Sequence, residues 1–74
     1  MSAMTTAERD ELLQCLRMLC DEWPEMRFGQ LIANLAVVAR GAEESAVWDM
    51  EDDELLAAAR RQLSVCRERH AQVA

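Results

Sequence analysis

The stretch PEMRFGQLIANLAVVARG, Pro24 to Gly41, decides the fold class. It opens on a proline, closes on a glycine, and carries an apolar stripe between them. With Phe28 as origin and about 100° per residue, Leu31, Ile32, Leu35, Ala36, Val38 and Ala39 fall within about 80° of it. That spacing predicts an amphipathic helix. Pro24 is expected to form its first turn, where a missing N–H costs nothing. Gly41 is expected to supply the left-handed residue that closes it. Gly29 lies about 100° from Phe28, on the flank of the apolar face. A glycine inside a helix costs about 1 kcal/mol relative to alanine, which points to close approach of a neighbouring element.

A polar line runs along the same helix. Arg27, Gln30 and Asn34 lie at about 260°, 200° and 240°, on a face shared with Val37. In a structural reading, Arg27 pairs with an acid at the start of the following helix. Gln30 and Asn34 then hydrogen-bond the irregular backbone of residues 42–50, because loop carbonyls near the core must find donors. In a functional reading, the line is a polar stripe that recognises a protein partner. The structural reading is preferred.

Working outward, Thr5 followed by Glu8 is a capping-box pattern. It starts a helix from about Thr6 to Glu22, with Leu12, Leu13, Leu16, Leu19, Cys20 and Trp23 recurring at spacings of three and four. Downstream, residues 41–49 form an irregular joint or a single short turn, with Val47, Trp48 and Met50 expected to fold back onto the core. Asp49 is expected to cap the next helix, which runs over about 50–69 with Leu55, Leu56, Ala59, Leu63, Cys66 and His70 on its inner face. The expected fold is all-α. It is a compact three-helix domain (about 6–22, 24–40 and 50–69) spanning residues 1–74, with 1–4 and 71–74 expected to fray. Helices one and two should form a tight hairpin across Trp23-Pro24, with the third packed across both.

Composition narrows the function classes. The chain has 74 residues, of which 51% are apolar, more than a domain this small readily hides. That surplus argues for self-association, most simply as a homodimer. Net charge is −6; all eight basic residues are arginine. Absent lysine and abundant alanine suggest a bacterial source with a GC-rich genome. The acidic balance argues against nucleic acid and against anionic membranes, both of which need clustered positive charge. No apolar run approaches the roughly 20 residues of a membrane span, and no basic-then-apolar leader is visible. A cytoplasmic location is therefore expected, with Cys15, Cys20 and Cys66 as reduced thiols.

Few residues are arranged for chemistry. In DMEDDEL, residues 49–55, the acids Asp49, Glu51, Asp52, Asp53 and Glu54 lack the alternate spacing and turn glycine of a calcium loop. Carboxylates in a first helical turn answer its exposed N–H groups, and that reading is preferred; the alternative is an acidic docking patch. Cys66 and His70 stand four apart, a workable zinc spacing, but a second ligand pair is missing: Cys15 and Cys20 point about 140° apart. His70 is the only histidine, so cysteine or serine nucleophile chemistry lacks a second candidate base. The two glycines, Gly29 and Gly41, do not make a phosphate loop. No catalytic, cofactor or metal residue is assigned, and the chain is read as a non-enzyme.

RFGQLIANL, followed some thirteen residues later by WDMEDDELL, resembles a pattern in small bacterial proteins with no assigned activity. In that pattern a helix reading Arg, an aromatic or aliphatic residue, then Gly-Gln-x-x-x-Asn precedes an aromatic-x-aliphatic-acid-Asp-x-Glu-Leu segment. It covers Arg27 to Leu56, and more often carries Phe where this chain has Trp48. The resemblance brings no activity. It implies that Arg27, Gln30, Asn34, Trp48 and Asp52 belong to one unit.

Two functional expectations follow. The first is a non-catalytic interaction module or accessory subunit that self-associates. The alternative is an acidic inhibitor, of antitoxin, immunity or anti-defence type, that occupies a basic site on a partner protein.

Overall fold

A computed structural model describes residues 4–73, with side chains described through Arg69. Among these residues it is all-helical: α1 (Thr6–Glu22), α2 (Phe28–Arg40), a single-turn α3 (Ala46–Asp49) and α4 (Asp52–Val73). The expectation of fraying at residues 1–3 and 74 lies outside the described residues, as does the side chain of His70. Met4 is partly buried against the core, and α4 continues four residues past its expected end.

Helix α1 starts as its sequence requires. Thr5 Oγ1 accepts the Glu8 N–H at 3.1 Å, and Glu8 Oε1 accepts the Thr5 N–H at 3.2 Å. Each partner satisfies a donor that the helix cannot. Leu12, Cys15, Leu16 and Leu19 are buried. Leu13, expected on the same face, is 59% exposed. It lies about 120° from Leu19, outside the arc that a single packing partner covers.

Pro24 does not begin α2. Trp23 caps the end of α1, and the Met26 N–H donates to Trp23 O at 3.0 Å, closing a turn with Pro24 at its second position. A fixed φ favours proline there as strongly as in a first helical turn. The helix starts four residues later, after Arg27, whose N–H donates to Gln30 Oε1 at 3.2 Å. The cap is half a box, since a guanidinium offers no acceptor in return. Leu31, Leu35 and Ala36 are buried, with Ile32, Val38 and Ala39 partly so. Phe28 shares their direction but heads the helix, and its ring is exposed. At the other end Gly41 adopts φ 87°, ψ 179° and donates to Val37 O at 2.7 Å. That conformation is nearly confined to glycine.

The joint is corrected in its packing. Ala46 is the buried residue of α3, whereas Val47 and Trp48 face solvent, Trp48 with 88% exposure. A single turn aims one side chain inward and rotates its neighbours away by about 100° each; the small residue takes the inward place. Asp49 belongs to α3 and does not cap α4. Glu51 occupies that position, its N–H donating to Glu54 Oε1 at 3.3 Å.

Helix α4 is the spine. It packs against α1 and against α2, and α3 packs on α2. Helices α1 and α2 do not form the expected tight hairpin, because the five-residue link holding the Trp23–Met26 turn lets them diverge onto α4. Leu56, Ala58, Ala59, Leu63 and Cys66 are buried across an arc of about 160°, wider than the stripe a helix needs for one partner. Ion pairs fix both seams: Arg9–Asp52 at 3.3 Å, Arg60–Glu11 at 2.6 Å through two guanidinium nitrogens, and Arg40–Glu54 at 2.9 Å. The result is flat, 42 × 29 × 18 Å.

Candidate functional site

The divergence of α1 and α2 opens a groove of about 600 Å³ at their junction. Its apolar lining is Trp23, Pro24, Met26 and Ala33. Two residues of the polar line, Gln30 and Asn34, also line it, and Glu22 and Glu25 contribute carboxylates. The volume lies within the range of small-ligand clefts, and the mixture of aromatic wall and amide dipoles suits an amphipathic occupant.

Each member of the polar line has a defined position. Gln30 accepts from the Arg27 backbone, and Asn34 Nδ2 donates to Met26 Sδ at 3.5 Å. These contacts replace the expected ones to the 42–50 backbone. On α2 the arginine that pairs with an acid at the start of α4 is Arg40, not Arg27. Gln30, Ala33, Asn34 and Val37 are all exposed and share one face of α2, at about 140–240°. The line is therefore the polar part of a mixed outer face.

The acidic cluster is partly engaged within the fold. Asp52 pairs with Arg9, and Glu54 with Arg40. The Arg40 hydrogen bond, then the Glu51 N–H, hold the Glu54 carboxyl below its ordinary value. Asp49, Asp53 and Glu51 are exposed. Asp52 thus meets Arg9 of α1.

Cys15 and Cys66 are buried thiols, and desolvation raises the pKa of both. Such thiols react slowly. No group of three or more His, Cys, Asp or Glu residues is placed to hold a metal ion among the described residues. No described helix is long and apolar enough to cross a membrane.

Sequence reasoning missed the groove and the exposure of Trp48. The signal for the first was Trp-Pro-Glu-Met read as a turn, which leaves α1 and α2 apart. The second had no signal, since a tryptophan beside valine in a short joint reads as core by composition alone. No family model, curated protein or solved structure matches the chain.

Proposed function

We propose that this chain is a non-catalytic protein-interaction module, an accessory subunit that associates with itself. The observation that carries the reading is Trp48, a large aromatic 88% exposed on a turn anchored by the buried Ala46. Exposed aromatics at defined positions are the residues that most often dominate binding energy. Val47, Val37 and Phe28 add apolar exposure on α3 and α2. The alternative, an acidic inhibitor, draws on the net charge of −6. Its support is reduced by the pairing of Asp52 and Glu54 with arginines of the same chain.

Light scattering after size exclusion, across a hundredfold range of concentration at low and high salt, tests the reading. A mass rising from one chain to two, unchanged by salt, is expected. A mass of one chain throughout overturns self-association, and affinity for a basic partner that salt abolishes favours the inhibitor.

A further inference from the structure

The groove at the α1–α2 junction has a sign as well as a shape. Its charged lining residues are Glu22 and Glu25, and no basic side chain lines it among the described residues. Glu25 makes no ion pair among those residues, in contrast to Glu11, Asp52 and Glu54. Helix α1 also ends at this groove, and the carbonyl end of a helix is equivalent to about half a negative charge. The last turn of α1 holds no basic residue to answer that charge. Helix end and carboxylates therefore favour the same occupant, a cation.

The apolar lining says what kind of cation. Trp23 is packed partly buried against the core and also lines the groove, so the fold holds its indole in place. The face of an indole attracts a cation more strongly than that of any other aromatic side chain. Met26, likewise packed against the core, and Ala33 extend the apolar wall. Asn34 donates from Nδ2 to Met26 Sδ, which leaves its Oδ1 as an acceptor. Such a lining suits an apolar body that ends in N–H donors. Eight residues, from one helix end, one turn and one helix face, enclose about 600 Å³. That is the scale of a small-molecule cleft, whereas a standard protein interface draws on roughly 20–30 residues a side.

We propose that this groove binds a small organic ammonium ion, with its alkyl or arylalkyl body on Trp23, Met26 and Ala33 and its charge paired with the Glu25 carboxylate. This goes beyond the self-association reading and does not rest on it.

Phenethylammonium chloride is the probe, with 2-phenylethanol as its uncharged counterpart, each titrated into the full chain and followed by backbone-amide and indole NMR signals. Saturable shifts centred on residues 22–34 and the Trp23 indole are expected. The amine should bind about fivefold more tightly than the alcohol, and salt should narrow the difference. Glu25→Gln, at an exposed position, should remove most of that preference with the circular dichroism spectrum unchanged. No saturable shift, shifts centred elsewhere, or equal affinity for amine and alcohol overturns the site. A preference that survives intact in Glu25→Gln overturns the assigned pairing. A capped Ala-Lys-Ala peptide that binds more tightly than the amine overturns the small-ligand reading and gives the groove to a protein partner.

Discussion

The α1–α4 seam and the α2–α3 corner use apolar residues in opposite ways. Along the seam, Leu12, Cys15, Leu16 and Leu19 meet the buried face of α4, and two ion pairs hold its register. At the corner, Ala46 alone of α3 is buried, and Val47 and Trp48 stand in solvent. The seam commits its apolar surface to folding, while the corner leaves much of its own uncommitted. In a chain of 74 residues with a thickness of 18 Å, this division separates stability from recognition.

The largest effect should come from emptying the seam. Leu19→Ala removes a fully buried side chain and is expected to cost about 2–5 kcal/mol. Urea unfolding followed by circular dichroism measures this; Trp48→Ala at dilute, monomeric concentration should stay within about 0.5 kcal/mol. Equal costs for the two would erase the contrast.

The glycines bracket the same comparison with smaller effects. Gly41→Ala forces a side chain into φ 87°, ψ 179° and should destabilise by about 1–3 kcal/mol. Gly29→Ala meets open space, contrary to the close approach its position suggested, and should stabilise by up to about 1 kcal/mol. Opposite shifts in thermal midpoint are the expected pair of results.

Acid should loosen both seams modestly. Hydrogen bonds from the Thr5 backbone and side chain, from Arg60 and from Arg40 with the Glu51 N–H hold the carboxyls of Glu8, Glu11 and Glu54, respectively, below their ordinary value of 4.5. A carboxyl with a depressed folded pKa contributes stability above its unfolded value and loses it as pH falls through the folded one. The thermal midpoint should therefore decline below about pH 4.5, less steeply in Glu54→Gln. A midpoint that rises on acidification would show that relief of the net negative charge outweighs these contacts.

Thiol reactivity gives the smallest, cleanest contrast. Cys20, half-buried on the flank of α1, should react with a disulfide reagent well before Cys15 and Cys66, which burial keeps protonated. Three equal rates would mean that the seam opens as readily as its edge.

Much of the architecture was legible because it depends on local spacing. The Thr5–Glu8 box and the three-and-four repeat of Leu12, Leu16 and Leu19 specify α1 without reference to the rest of the fold. The same periodicity located the core face of α2. Pro24 was ambiguous for a physical reason: one fixed φ serves a turn and a first helical turn equally well. The direction in which α1 and α2 diverge depends on that choice, so the groove beside Gln30 and Asn34 was hidden with it. The joint failed differently. Hydrophobicity identified Val47 and Trp48 as residues needing cover, and composition does not say whether that cover comes from within the chain.

The place of α4 as common partner also governs when the domain acquires structure. Arg9 and Glu11 find their partners 43 and 49 residues further along the chain. Synthesis proceeds at about 5–20 residues per second from the N-terminus. For that interval α1 and α2 have each other within reach but no extended packing surface to share. A helix of seventeen residues is marginal in water alone, and one of thirteen more so. The nascent chain therefore waits, and emergence of α4 orders both helices in one cooperative step.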